Sequence, residues 1–220
     1  MKNRAFGRWQ AGMALVVLAA PGCLVKETAQ TIYLERDGSV TWTIVERDVR
    51  SDGGTAGDRA REEASFSMAA RAGRHPVALA LERLDPLEVR TTIVRGERPY
   101  GVITAARFAR IDALMARFIE AAGLEGVSTM DQQDGIVTWT FEIAERVSDA
   151  TASESKDDQV DALADGFDGC RFVLSTGHFT HAVGFELSED RQTATIHFPD
   201  ETKAPEKVRL QFSLTWAEHE

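Results

Sequence analysis

The segment His178-Phe179-Thr180-His181 comes nearest, by residue type, to a metal box. On a helix, two histidines three residues apart share a face and can clamp zinc between their imidazoles. The neighbouring residues argue instead for a strand, because Phe179, His181, Val183, Phe185 and Leu187 fall at every second position. Side chains alternate between the faces of a strand, so His178 and His181 are expected on opposite faces and unable to chelate one ion. His181 then belongs at a core edge, His178 in solvent, and His197 on the wet face of its own strand between Ile196 and Phe198. No metal site is expected.

Other reactive types are scattered. Asp131, Asp134, Asp157, Asp158, Asp161, Asp165 and Asp168 invite a calcium reading, but none has the twelve-residue EF-hand spacing. Turn chemistry and a solvated acidic helix face account for them. Cys170, between Gly169 and the apolar pair Phe172-Val173, reads as a free buried thiol; reactivity would need a base or cation close to it in the fold. Arg95, Arg98, Arg107 and Arg110 give the middle of the chain a local positive character. They suit solvated strand edges, where charge discourages aggregation, better than a groove for an anion. The sequence contains no G-x-S-x-G, Walker loop, H-E-x-x-H, paired C-x-x-C or dinucleotide fingerprint. No catalytic residue and no cofactor is therefore assigned.

The elements that must position these residues are mostly strands. Asp37-Gly38-Ser39-Val40-Thr41-Trp42-Thr43 is echoed by Asp134-Gly135-Ile136-Val137-Thr138-Trp139-Thr140, with six of seven positions matching at a separation of 97 residues. Each Asp-Gly precedes an alternating run, the pattern of a hairpin whose turn needs φ > 0 at its central residues. Two related hairpin units are expected near 31–47 and 127–144, by common turn chemistry or by internal duplication. A two-residue turn would set Tyr33 opposite Trp42 and Met130 opposite Trp139, with both tryptophans in the core. Val40, Trp42 and Ile44 share a face in the first unit, and Val137, Trp139, Phe141 and Ile143 in the second.

Further strands are expected at 88–95 and 102–108, and in a C-terminal run where Val208, Leu210, Phe212, Leu214 and Trp216 alternate with polar residues. A hairpin of 179–187 with 192–198 is also expected. Ile111, Leu114, Met115, Phe118 and Ala122 predict a helix that Gly123 can stop. A second helix is expected over 58–72 and a shorter one over 157–164, after a polar loop at 148–159. The fold class is α+β: about ten mostly antiparallel strands in hairpins, with two or three helices packed on one face.

The N-terminus follows different rules. Lys2, Arg4 and Arg8 precede ten residues, Ala11 to Ala20, that are all apolar or Gly. Spanning a bilayer takes roughly 20 apolar residues, so this stretch suits a secretory signal peptide. It ends in Ala20-Pro21-Gly22-Cys23, which resembles the lipobox of bacterial lipoprotein precursors. Ala20 and Pro21 stand where lipoboxes usually carry Leu and then Ala or Ser. The resemblance implies a signal peptide over 1–22, cleavage after Gly22, diacylglycerol on the Cys23 thiol and acylation (palmitate-type) of the new amino group. It also implies export to the outer membrane of a Gram-negative cell, because Leu24 and not Asp follows Cys23. Ordinary cleavage after Ala19 remains the alternative. In that case Cys23 and Cys170, the two cysteines, would both be available for a bridge.

Composition sets the outer limits. The chain has 220 residues, 43% hydrophobic and 27% charged, enough for a single domain over 23–220 with a sizeable core. Beyond residue 22 there are 22 basic side chains against 35 acidic ones, a net charge of −13. That surface repels phosphate backbones, so no nucleic-acid partner is expected. Membrane attachment is expected through lipid on Cys23 rather than through bulk charge. The reading is a membrane-anchored envelope lipoprotein of non-catalytic binding or scaffold type, with an unidentified envelope protein partner. The alternatives are an envelope hydrolase using carboxylates or a His178-centred site, and a carrier of lipid or small molecules.

Overall fold

The computed structural model describes residues 24–35, 38–144, 163, 167–198 and 210–217. Among them are eleven strands and three helices, in the order β1 (Leu24–Leu34), β2 (Val40–Ser51), α1 (Ala56–Arg71), α2 (Pro76–Glu82), β3 (Glu88–Arg95), β4 (Tyr100–Phe108), α3 (Ile111–Ala121), β5 (Glu125–Gln133), β6 (Ile136–Ala144), β7 (Arg171–Leu174), β8 (His178–Val183), β9 (Phe185–Leu187), β10 (Thr193–Ile196) and β11 (Leu210–Ala217). They form a seven-stranded sheet, β3-β4-β2-β1-β7-β10-β9, and a four-stranded sheet, β5-β6-β11-β8. Every pairing is antiparallel except β1 with β7. The fold is α+β, as the sequence predicts. Helix 157–164 lies outside the described residues apart from Leu163, which is helical and buried. The polar loop 148–159 lies outside them altogether.

The two echoed segments do form hairpins, with different turns. Asp134 and Gly135 have φ of 52° and 74°, so a two-residue turn places Gln133 opposite Ile136 and Met130 opposite Trp139. The first hairpin is longer. Glu35 N–H donates to Ser39 (2.9 Å), Gly38 N–H donates to Glu35 (3.0 Å), and Gly38 has a positive φ, 79°. Ile32, not Tyr33, therefore lies opposite Trp42. A one-residue change of register moves a side chain to the other face, and Tyr33 stands outward at 38% exposure. The equivalence survives at the indoles. Trp42 Nε1 donates to Gln30 Oε1 (3.1 Å) and Trp139 Nε1 to Ser128 Oγ (2.9 Å). Each acceptor sits two residues before the partner directly opposite its tryptophan.

The expected hairpin 179–187 with 192–198 is only half present. β9 pairs with β10 in the larger sheet, but β8 pairs with β11 in the smaller one. The chain changes sheets at Gly184, whose φ is +77°. A Cβ there would meet Phe212 Cδ1 at 2.4 Å, so the ring of one sheet occupies the space that any side chain would need. A strand-length alternating pattern cannot reveal such a corner, because both halves continue to alternate.

One core joins the two sheets. Trp139 stacks on Phe141 (4.8 Å between centroids), Phe141 on Phe212 (4.7 Å), and Trp139 approaches Phe172 of the larger sheet at 5.4 Å. Trp42 meets Phe118 of α3 edge-on at 5.6 Å. Both tryptophans are fully buried. α3 ends as expected: Gly123 has φ of +66°, and Leu124 N–H donates back to Ile119 (3.0 Å). α1 and α2 cover the inner face of the larger sheet, while α3 packs on β5 and β6 of the smaller sheet and meets Trp42 of the larger one. α1 sets Phe66 and Ala70 against Val49 and Val102, beside Leu24, Ile93 and Tyr100. α2, absent from the sequence reading, buries Val77, Ala78, Ala80 and Leu81. Its signal was Pro76 at the first helical position, which pre-sets φ and lacks an N–H that would go unpaired there. β7 was also missed, since four residues are too few for a period.

Candidate functional site

The densest group of reactive side chains lies under α1 and α2, and only the fold brings it together. β2 carries Glu46 on the same face as Val40, Trp42 and Ile44. β4 carries Thr104 on that face, since Thr104 pairs with Ile44. His75, the N-cap of α2, drops onto them. Glu46, His75 and Thr104 are each 0% exposed. His75 Nε2 is 2.9 Å from Thr104 Oγ1 and 3.3 Å from Glu46 Oε2. Lys26 of β1 donates to the other carboxylate oxygen, Glu46 Oε1. The Phe66 ring closes the group edge-on to His75 at 6.0 Å.

A carboxylate, an imidazole and a hydroxyl in contact suggest a nucleophilic triad, but the geometry excludes one. A triad needs nucleophile and acid on opposite ring nitrogens, so that the acid orients the ring while the other nitrogen takes the hydroxyl proton. Here Thr104 and Glu46 both face Nε2, and Nδ1 has no hydrogen-bond partner. Nor can a substrate reach side chains with no exposed surface. The arrangement is a buried polar cluster that pins α2 to the sheet. Burial pushes the Glu46 carboxyl upward, but the adjacent His75 ring and the Lys26 ammonium pull harder, leaving it below the usual carboxylate range. Glu46 Oε2 also lacks a hydrogen bond and faces His75 only as an ion-pair neighbour.

A second polar group lies alongside. Glu63 of α1 is buried, accepts from Ser51 N–H (2.9 Å) and pairs with Arg98 (2.7 Å). Glu62 accepts from the Ser51 hydroxyl. Neither these glutamates nor Glu46 and His75 were singled out from the sequence. Glu62 and Glu63 sit in a charge-rich helix where nothing marks the inward positions. A lone histidine before a proline carries no spacing at all.

The residues that were singled out do not assemble into a site. The expectation that His178 and His181 lie on opposite faces is wrong. Phe179 pairs with Trp216 and His181 with Thr215, so two steps on β8 match one on β11 and Thr180 is the extra residue of a bulge. His178 then faces Ala217 and His181 faces Thr215, both on the outer side of the smaller sheet. His181 is exposed rather than at a core edge. Among the described residues no group of three or more His, Cys, Asp or Glu is placed to hold a metal. His197 is exposed as expected and lies 3.3 Å from Glu186.

The arginines are divided between the two ends of the β3–β4 hairpin. Arg98 pairs with Glu63 at one end; at the other, Arg107 reaches Ser39 (3.3 Å) and Arg110 pairs with Asp112 (2.8 Å). Asp134 lies in its turn, Asp131 is exposed on β5, and Asp168 accepts from Phe198 N–H (3.1 Å). Asp157, Asp158, Asp161 and Asp165 lie outside the described residues. Cys170 is fully buried, and loss of solvation pushes its thiol well above the ordinary range. Cys23 and residues 1–22 also lie outside the described residues, but β1 begins at the very next position, Leu24. No described helix is long and apolar enough to cross a membrane.

No protein-family model matches the chain, and no curated protein matches it. Two solved structures are similar over most of its length. One is the folded domain of LppM from Mycobacterium tuberculosis, determined by NMR, with 11% identity over 93% of this chain and 95% of that chain and a TM-score of 0.37. The other is the Fcho1 Mu homology domain from Danio rerio with bound Eps15 peptide, with 7% identity over 91% of this chain and 80% of that chain and a TM-score of 0.23. Neither score is high enough for a shared role to follow.

Proposed function

We propose that this chain matures as residues 23–220, a lipid-anchored protein of the bacterial envelope whose domain binds or scaffolds another envelope component. The observation that carries this reading is the order of features along the chain. A basic, then apolar, leader ends in Ala20-Pro21-Gly22-Cys23, and the first strand starts at Leu24. A thiol at that boundary is where a lipid would hold the folded domain without spending any of its own residues. Two or three acyl chains, at about 0.8 kcal/mol per buried methylene, suffice for a stable anchor. With Leu24 after the cysteine, the expected address in a Gram-negative cell is the periplasmic side of the outer membrane.

A binding role is favoured over hydrolysis by the state of the reactive side chains. Glu46, His75 and Thr104 are sealed under two helices, and both acid and hydroxyl address one ring nitrogen. A carrier role is disfavoured because the apolar faces meet ring on ring. The decisive measurement is the intact mass of protein extracted from membranes, beside Cys23→Ser. The expected result is a chain starting at Cys23 with a lipid-sized increment, absent in the variant. A soluble product starting at Ala20, or a bridge between Cys23 and Cys170, would defeat the reading.

A further inference from the structure

Helix α1 is held differently from the rest of the molecule. Its buried apolar side chains are Phe66 and Ala70, which pack on Val49 and Val102 beside Leu24, Ile93 and Tyr100. This small cluster is separate from the large core that joins the two sheets. α2, by contrast, sends Val77, Ala80 and Leu81 into that large core. Polar bonds supply the other ties of α1, and carboxylates carry most of them. Buried Glu63 accepts from Ser51 N–H at the end of β2 and from Arg98 in the β3–β4 turn. Glu62 accepts from the Ser51 hydroxyl, and Arg59 donates to the Gly53 carbonyl (2.8 Å) in the link before the helix. Asp58 accepts from Thr55 and pairs with Arg61 inside the first turns.

Polar atoms without a hydrogen bond gather around the same helix. Among the described residues, the buried side-chain atoms in that state are Glu46 Oε2, Glu62 Oε1, His75 Nδ1 and Thr91 Oγ1. Glu62 is on α1 itself. Glu46 stands opposite Val102, His75 lies edge-on to Phe66, and Thr91 is two places before Ile93 on one face of β3. Each therefore adjoins the small cluster that α1 covers. An unpaired buried polar atom raises the free energy of the closed state, and water satisfies it on opening. A helix with few buried apolar side chains, lying over such atoms, opens before the main core unfolds.

We propose that α1 is an acid-released lid: falling pH frees it from the larger sheet as a unit while both sheets and α2 stay folded. Acid acts on the carboxylates that tie the helix down. A proton on Glu63 removes the charge that draws Arg98, and one on Glu62 weakens its bond with Ser51. Across the Phe66 ring stand the other charged or titratable groups of the site, Lys26 of β1, Glu46 of β2 and His75 of α2. Glu46 works in the same direction. Burial pushes its carboxyl up, but His75 and Lys26 pull it below the usual range. The closed site thus favours the charged form and weakens as pH falls through that lowered value. Release uncovers Val49, Val102, Ile93, Tyr100 and Leu24 together with Glu46 and His75. It makes no triad, since Glu46 and Thr104 still address one ring nitrogen. The inference goes beyond the lipid-anchor reading and stands without it, because every group it uses lies within the folded domain.

The test is amide hydrogen exchange on the full chain as isolated from cells, at about pH 7 and about pH 4, with rates corrected for the intrinsic effect of pH. The amides of α1 are compared with those of β6 and β11, which lie in the main core. The expected result is that α1 exchanges faster than the two strands at both pH values, and that its lead grows about ten-fold in acid. Two variants locate the cause. Glu63→Gln should speed exchange in α1 at about pH 7 and shrink the acid response. Phe66→Ala should speed exchange in α1 at both pH values and leave β6 and β11 as protected as in the parent. Exchange of α1 in step with β6 and β11 at both pH values overturns the proposal, because the helix then opens only when everything does. An α1 that opens by itself but equally at both pH values overturns the acid release. An acid response undiminished in Glu63→Gln, or a Phe66→Ala variant that loosens the two strands as much as the helix, does the same.

Discussion

Glu46 is the residue on which the local chemistry turns. It is an acid inside an apolar sheet face, held ionised by Lys26 and faced by His75. Removing one partner of a buried pair leaves the other uncompensated, so Glu46→Ala should cost about 3 kcal/mol in chemical denaturation. The pH dependence has a definite sign. The carboxyl binds its proton less readily in the folded chain than in the unfolded one. Its contribution is therefore complete above the ordinary carboxylate value and is lost as pH falls through the lower folded-state value. Glu46→Gln should flatten the acid limb of the melting-temperature profile. A variant that loses as much stability on acidification as the parent would assign that limb to other acids. None of this could be read from the sequence: an alternating strand shows Glu46 two places after Ile44, and nothing local says that an acid continues the buried face. The tryptophans were readable because a large apolar side chain two residues from other apolar ones has one economical place to go.

At the scale of elements, what the sequence disclosed was period and what it hid was topology. α3 and both Asp-Gly hairpins were readable from spacing and turn residues. The exact register of the first hairpin was not, because Gly38 takes the left-handed position of a longer loop and shifts Tyr33 off the core face. Two further errors have the same root. The bulge at Thr180 and the corner at Gly184 each leave the alternation nearly intact while redirecting the side chains or the strand. Gly184 offers a sharp test. Gly184→Ala combines a positive φ with a Cβ inside the Phe212 ring and should cost about 2–3 kcal/mol. Gly54→Ala, where a Cβ meets nothing within 4 Å, should be close to neutral. Parallel urea titrations of the two variants would measure the contrast, and equal midpoints would remove Gly184 as the hinge between sheets.

For the whole molecule, the shared core carries a consequence for cooperativity. Rings from both sheets and from α3 belong to one cluster, so neither sheet keeps its buried face if the other leaves. Thermal unfolding of a 23–220 chain should follow a single transition by far-ultraviolet and aromatic circular dichroism alike. Two separated midpoints would instead mean two folding units. β1 adds a mechanical property. It is an interior strand, bonded to β2 on one side and to the parallel β7 on the other. A pull on the chain ahead of Leu24, directed along the strand, strains both rows of hydrogen bonds at once in shear instead of unzipping them singly. A load applied ahead of Leu24 would thus meet two rows of bonds together instead of one bond at a time.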